Sequence, residues 1–318
     1  MLQKNTKVMQ KHAGGSFSAG TRTVSYEVSR NIIGWLMMLP GLFLFFVFVW
    51  QPLIEGIITS FYETRGFENI RFIGLENYRL VLRDSLFLKA FTNSMKYMLW
   101  CIIIGVPLPV IAAILLNEVR RCNGFFRFSI YFPCIIPAIV ASIMWKFLFQ
   151  PDMTGMMNIL LSKLGIGPLQ WLQNPAATIP LIVVTMTWSG FGSSTILYLA
   201  DLQSINHDLY EACEIDGGRF FHKLRYIVLP HMSKLIKMLL IMQIMGVFRV
   251  FQQPLSMTTG GPANASTSLM LISYDYAFSY MQIGRSTAVS VITSILIGIM
   301  TVIYFRASRD KSDKRRTR

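Results

Sequence analysis

Long, uninterrupted apolar runs dominate the pattern of hydrophobic and polar positions along the chain. A helix that crosses the hydrocarbon core of a bilayer, about 30 Å thick, needs about 20 predominantly apolar residues. The segments of about this length that contain no charged residue are 31–54, 97–117, 128–145, 176–200 and 286–305. Each segment is therefore predicted to be a membrane-spanning helix.

A sixth span is predicted over 234–254, although charged residues interrupt its sequence. Between Lys237 and Arg249 only 11 residues are free of charge. The run reaches membrane length if Lys234, Lys237 and Arg249 lie near the interfaces, where long side chains extend their charged groups into water. The predicted fold class is therefore all-α, a polytopic membrane bundle of about six transmembrane helices.

The composition agrees with a membrane protein and excludes several other classes. The 318 residues are 53% hydrophobic and only 14% charged, and the mean hydropathy is +0.47. A soluble domain carries about 25% charged residues, so a soluble globule, a disordered chain and a small secreted scaffold are excluded. The net charge of +14 alone would favour nucleic acid or an anionic membrane surface, and the apolar runs decide for the membrane.

The distribution of Lys and Arg predicts the orientation of the spans. With the N-terminus inside, the cytoplasmic segments are 1–30, 117–127, 201–237 and 306–318, and they hold 20 of the 30 Lys and Arg residues. Cytoplasmic loops are enriched in these residues, so both termini are predicted to be cytoplasmic. The chain then consists of a basic N-terminal tail (1–30), a transmembrane domain (31–305) and a basic C-terminal tail (306–318).

The predicted cytoplasmic loop 201–232 has a helical pattern of its own. Asp208 is a candidate N-cap, with Glu211 three residues later as in a capping box. Gly217 permits a sharp turn with positive φ. A second helix is predicted after this turn, and Pro230 either ends it or bends it. Two interpretations fit this pattern: an amphipathic hairpin on the membrane surface, or a docking element for a soluble partner.

This loop resembles the EAA loop of ABC importer permeases, whose signature is E-A-A-x3-G-x9-I-x-L-P. The residues that match it are Glu211, Ala212, Cys213 (in place of the second Ala), Gly217, Ile227, Leu229 and Pro230. The stretches 72–78, 198–205 and 259–264 are similar to further elements of carbohydrate-type permeases. The chain thus looks like a type I ABC importer permease of the carbohydrate-uptake (maltose, multiple-sugar and glycerol-phosphate) type, the inner-membrane component of a binding-protein-dependent transport system.

The resemblance implies a permease subunit in the bacterial plasma (inner) membrane that forms the path for an oligosaccharide or related sugar. It implies a second homologous permease, two ATPase subunits and an extracellular solute-binding protein as partners. Glu211 would contact the ATPase, and Gly217 would allow the turn. Ile227, Leu229 and Pro230 would hold the second helix against the membrane domain. The chain has no G-x4-G-K-[ST] run, so we expect it to be non-catalytic, with ATP bound by the partner subunits and no cofactor of its own.

Candidate substrate contacts follow from the chemistry of sugars, which stack on aromatic faces and need partners for their hydroxyl groups. The candidates near the middle or the outer halves of the spans are Trp145, Trp188, Gln243, Arg249, Gln252 and Gln253. The two tryptophans could instead be interfacial or packing residues. Arg249 could face a cavity or extend to the outer interface.

Two other classes of membrane protein are alternatives to this prediction. A self-sufficient secondary transporter or channel for a small polar solute is the alternative, and it would need buried ionisable residues or a pore signature. A membrane-embedded enzyme would need a nucleophile–base or metal constellation. The spans contain almost no ionisable residue, the four histidines form no HExxH motif and the four cysteines no CxxC motif, so no metal site is expected. No nucleic-acid partner is expected either.

Overall fold

A computed structural model describes residues 34–119 and 121–316, with side chains described as far as Arg306. Five of its helices are long and apolar enough to cross a membrane, or six if one bent pair counts as a single span. The predicted all-α membrane bundle is therefore confirmed. The predicted N-terminal tail 1–30 lies outside the described residues.

The chain divides into two compact units between Gly56 and Ile57. The first apolar helix, α1, spans Gly34–Thr59 and contains a π-helical turn at Phe46–Trp50. Its 26 residues suffice to cross a bilayer, since an α-helix rises about 1.5 Å per residue.

The second unit contains the other elements of the fold. Its long helices are α3 (Ser85–Glu118), α7 (Pro175–Gln203), α9 (Phe220–Val247) and α12 (Ile283–Arg316). Its shorter helices are α2 (Glu76–Arg83), α4 (Asn123–Ile135), α5 (Ala138–Leu148), α6 (Met156–Ser162), α8 (His207–Ile215), α10 (Gln252–Thr258) and α11 (Leu269–Tyr274). A two-stranded antiparallel hairpin precedes α2, with β1 at Tyr62–Arg65 and β2 at Glu68–Phe72.

The predicted span 128–145 requires a correction, because it is not one straight helix. It is divided between α4 and α5, which meet at a bend of 96°. Ile136, between the two helices, is extended with ψ of 127°. This conformation is expected for a residue that precedes a proline, here Pro137, because the ring disfavours the helical conformation of its predecessor.

The predicted span 234–254 also differs from the helix that is observed. Helix α9 begins at Phe220, fourteen residues earlier, and ends at Val247. It continues through Pro230, two residues after a π-helical segment, Leu224–Val228, so Pro230 does not end it. At the C-terminus, α12 remains helical to Arg316 and thus includes most of the predicted tail 306–318.

Helices α3 and α7 pack side by side and run in the same direction. Tyr97 of α3 and Ile182 of α7 belong to one buried cluster. Further along both helices, Ala113 and Leu199 belong to another. Parallel directions are expected of two spans that are separated by one other crossing.

Helix α9 is antiparallel to both α3 and α7. Val228, near its beginning, joins the cluster of Ala113, and Val247, at its end, joins the cluster of Tyr97. We call the end of the bundle where α3 and α7 stop and α9 begins the loop end, because residues 201–232 lie there.

Buried side-chain hydrogen bonds from α3 hold the segment between α10 and α11. The fully buried Asn93 of α3 donates from Nδ2 to the carbonyl oxygens of Asn264 (2.8 Å) and Thr267 (3.1 Å). Tyr97 donates its hydroxyl to the carbonyl of Ser266 at 3.0 Å. Irregular backbone in a membrane domain requires such partners, because lipid offers none.

Candidate functional site

A cavity of about 680 Å³ lies among α3, α7, α9 and the segment that follows α9. Four of the predicted substrate-path residues are among those that line it: Gln243, Arg249, Gln252 and Gln253. The amides of the three glutamines offer both donors and acceptors, which is the chemistry that sugar hydroxyl groups require, and the Arg249 guanidinium offers donors only. The cavity is therefore the candidate substrate site.

The break between α9 and α10 places Arg249, Gln252 and Gln253 at the cavity wall. The carbonyl of Val250 lies in this break and accepts a hydrogen bond from Ser268 Oγ at 2.5 Å. Ser268 also accepts a bond from the amide of Leu271, at the start of α11. The break is thus fixed by a residue 18 positions further along the chain.

Arg249 is exposed and has no ion-pair partner within the described residues. It follows the end of α9 directly and lines the cavity. Of the two interpretations of its charge, the structure therefore favours the one in which it faces a cavity. A cation at such a place can bind a polar ligand or a partner chain.

Trp145 and Trp188 do not line this cavity. Their ring centroids are 5.7 Å apart in an edge-to-face arrangement, and Trp145 also packs against Phe149 at 5.2 Å. Such packing is the alternative that the sequence left open for both residues. The indole Nε1 of Trp145 is buried and has no hydrogen-bond partner among the described residues.

At the loop end, α8 carries the first part of the EAA-like segment. Its N-cap is Asn206, whose Oδ1 accepts from the amide of Asp208 at 3.1 Å, so the predicted N-cap at Asp208 is wrong. Asn206 has the extended conformation of a capping residue. Asp208 lies in the first turn, where its negative charge interacts favourably with the helix dipole. Glu211 is exposed and pairs with His207 Nδ1 at 3.1 Å.

The turn after α8 has the predicted conformation. Gly217 has a φ of +78°, which side chains other than glycine rarely adopt. The amide of Gly218 donates to the carbonyl of Cys213 at 2.7 Å, so the last turn of α8 is closed by the turn itself. Ala212 is exposed and Cys213 is half-buried beneath this turn.

An ion pair joins the two helices across the turn. Lys223 Nζ of α9 donates to Glu214 Oε1 of α8, and this bond, together with the charge of Lys223, lowers the pKa of Glu214. The same Nζ lies 6.0 Å from the ring centroid of Tyr210. Burial, and then the nearby charge of Glu118, raises the pKa of Tyr210. The first turn of α9 is thereby held against α8.

The start of α9 packs on the bundle through residues that the signature does not contain. Val228 and Met232 are buried in one cluster with Tyr198 of α7, whereas Ile227 is half-buried and both Leu229 and Pro230 are exposed. The expected packing of Leu229 and Pro230 against this chain is therefore not observed. The buried residues lie four positions apart on one helical face. Val228 belongs to the apolar face that the sequence predicts for this helix, and the same periodicity extends to Met232.

Comparison with known proteins identifies the family of this chain. The family described as "Binding-protein-dependent transport system inner membrane component" matches residues 105–314. A lactose transport system permease protein of Rhizobium radiobacter is 30% identical, over 92% of this chain and 99% of that protein. A multiple sugar-binding transport system permease protein of Streptococcus mutans is 31% identical, over 89% of this chain and 97% of that protein.

The fold has relatives among solved structures. The crystal structure of a bacterial ABC transporter involved in the import of the acidic polysaccharide alginate contains a chain that superposes with a TM-score of 0.80. The match covers 91% of this chain and 99% of that chain, at 22% sequence identity. The fold is thus that of an ABC importer permease. With a family match over most of its length and several long apolar helices, this multi-pass membrane protein belongs to the family of binding-protein-dependent transport system inner membrane components.

Proposed function

We propose that this chain is a permease subunit of an ATP-driven ABC importer that takes up a carbohydrate. The observation that carries the proposal is the continuity of α9, which begins in the EAA-like loop and reaches the cavity wall. Relatives named for lactose, trehalose/maltose and multiple sugars support a carbohydrate as the substrate. The neutral amides of Gln243, Gln252 and Gln253 suit such a ligand.

The importer contains partners besides this chain. A second homologous permease completes the translocation path, two ATPase subunits bind and hydrolyse ATP, and an extracellular solute-binding protein delivers the sugar. The description of the matched family supports the binding protein. This chain is non-catalytic. It lies in the bacterial inner membrane, and the distribution of its Lys and Arg residues supports the placement of both termini in the cytoplasm.

The loop 201–232 transmits the motion of the ATPase subunits. Helix α8 enters the ATPase surface with Glu211 as its charged contact, and the turn at Gly217 fixes the angle between α8 and α9. When the ATPases close around nucleotide, they bind one position of α8 better than the other. This differential affinity shifts the permease between inward-facing and outward-facing states.

The test is to reconstitute the whole importer in proteoliposomes and to measure uptake with its binding protein present on the extracellular face. A thermal-shift screen first identifies which glycan the binding protein binds, with lactose, maltotriose and an arabinotriose among the glycans screened. The glycan that binds is then labelled and used as the probe for uptake. We expect uptake that requires ATP, the ATPase and the binding protein together. Uptake by this chain without ATP or partners would instead support a self-sufficient secondary transporter or channel.

A further inference from the structure

Gly105 occupies an unusual position in the second long helix. It is the last residue of a π-helical segment, Cys101–Gly105, inside α3, and it is buried at the cavity wall. Single π-helical turns within α-helices often mark functional positions, because they displace part of the helix from its regular register. The segment therefore presents Gly105 to the neighbouring helices in a way that a regular helix would not.

The side chain of Gln243 fills the space beside Gly105. A Cβ atom on residue 105 would collide with the Gln243 amide nitrogen, and it would also lie 3.4 Å from Thr187 Oγ1 of α7. The same amide nitrogen donates to the carbonyl of Cys101 at 3.3 Å. The Gln243 amide thus occupies a notch, the space beside α3 that is open because Gly105 has no side chain. Any side chain at residue 105 would displace the amide.

Gln243 belongs to the helix that starts in the loop. Lys223, whose ion pair holds the first turn of α9 against α8, lies 20 residues before Gln243 on one continuous helix. At 1.5 Å per residue this is about 30 Å. A displacement of the loop is therefore carried along α9 to the point where Gln243 meets α3.

We propose that Gly105 is a positioning residue for transport: it leaves room for the Gln243 amide against α3 and so sets the position of that amide at the cavity wall. This inference rests on the proposed function, since it assigns a purpose to the contact between a helix moved by ATP and the wall of the substrate cavity. Gly105 has no side chain of its own to present to the cavity. It acts through the position of Gln243.

The test is a double-mutant cycle in the reconstituted importer. Gly105→Ala is compared with Gln243→Ala, with both changes together, and with Gly298→Ala. Gly298 is a helical glycine of α12 that is outside the cavity, and a Cβ there would meet nothing within 4 Å. The measurements are the KM and maximal rate of uptake of the sugar chosen above, the ATP hydrolysed per sugar imported, and the midpoint of thermal unfolding.

We expect Gly105→Ala to lower the maximal rate of uptake roughly tenfold, because the added methyl group displaces the Gln243 amide from its place at the cavity wall. ATP hydrolysed per sugar should rise, since the loop still docks. Gly298→Ala should behave like the unsubstituted protein. The double variant should be no worse than Gln243→Ala alone, because removal of the amide leaves room for the methyl group.

The outcomes separate this inference from the proposed function. Equal behaviour of Gly105→Ala and Gly298→Ala, or losses that multiply in the double variant, would overturn the notch while leaving ATP-driven import intact. If Gly105→Ala fails to assemble, restoration of assembly by Gln243→Ala supports the notch, and failure to restore it overturns the notch. Absence of ATP-driven uptake in the unsubstituted importer would overturn the proposed function, and this inference with it.

Discussion

The two ends of α9 are held by different kinds of contact. At the loop end, an exposed ion pair between Glu214 and Lys223 joins segments only nine residues apart. At the cavity end, a part-buried hydrogen bond joins distant segments: Gln243 donates to the carbonyl of Cys101, 142 positions away. The first turn of α9 is thus joined locally to α8, with Val228 behind it packed on α7, whereas the cavity end has a polar contact between helices that are distant in the sequence.

This difference teaches where each kind of change should act. A substitution in the loop should alter docking or coupling and leave the bundle folded. A substitution among the buried polar contacts should lower the stability of the bundle itself, because an unpaired buried group loses its hydration without compensation. The predictions below test this division, beginning with the largest expected effect.

Charge reversal at Glu211 should have the largest effect. Glu211→Lys places a cation where the exposed carboxylate is proposed to meet the ATPase, so affinity for the ATPase subunit should fall at least about tenfold. Association of the purified subunits in detergent, followed by light scattering or pull-down, measures this. Glu68→Lys, an exposed reversal on strand β2, serves as the control, and normal assembly of Glu211→Lys would remove Glu211 from the interface.

Loss of Asn93 should lower the stability of the bundle rather than alter docking or coupling. Asn93→Ala leaves the carbonyls of Asn264 and Thr267 without their donor, which should reduce the free energy of unfolding by about 1–3 kcal/mol. Thermal unfolding of the purified chain in detergent measures it. Asn69→Ala, at an exposed asparagine with one long bond of 3.5 Å, should change little. Equal midpoints for the two variants would contradict the anchoring role of Asn93.

A β-branched residue at Gly217 should uncouple rather than unfold the protein. A Cβ there meets nothing within 4 Å, so the cost comes only from the positive φ and is about 1–2 kcal/mol. Gly217→Val should raise the ATP hydrolysed per sugar imported, and Gly217→Asn should do so less, because asparagine tolerates this conformation. Identical ratios in both variants would show that the turn angle does not govern coupling.

The same division explains how much the sequence could predict. The turn at Gly217 and the helices around it follow from local spacing, and apolar runs locate the spans. The bend between α4 and α5 was missed, although Pro137 and its predecessor signal it locally. The seat of Gln243 beside Gly105 could not be predicted, because it depends on which helices become neighbours. Gln243 was a candidate only for its chemistry.

The hairpin β1–β2 illustrates the same limit. Its segment contains alternating polar and apolar residues, such as Ile70, Arg71 and Phe72, and no apolar run long enough to predict a membrane span. Its position is fixed from outside by Asn77, which donates to the carbonyls of Ser60 and Tyr62. A local pattern could have suggested the strands, but only the assembled bundle shows what holds them.

The ion pair across the turn should give the smallest effect, one that depends on pH. Lys223 lowers the pKa of Glu214 below its ordinary value of 4.5, so the folded state binds this proton less readily than the unfolded chain. The pair therefore stabilises the protein above that value, and the contribution is lost as the pH falls through the lowered pKa.

Comparison of the unsubstituted chain with Glu214→Gln measures this contribution. The difference between their unfolding midpoints should be small and constant near neutral pH, since exposed pairs are screened by solvent. It should shrink as the pH falls below 4.5, and added salt should reduce it at neutral pH. Lys223→Gln should show the same dependence, because it removes the other partner of the pair. A difference that persists unchanged in acid or at high salt would mean that Glu214 acts through packing, and the loop end would then resemble the cavity end more closely than its exposed contacts indicate.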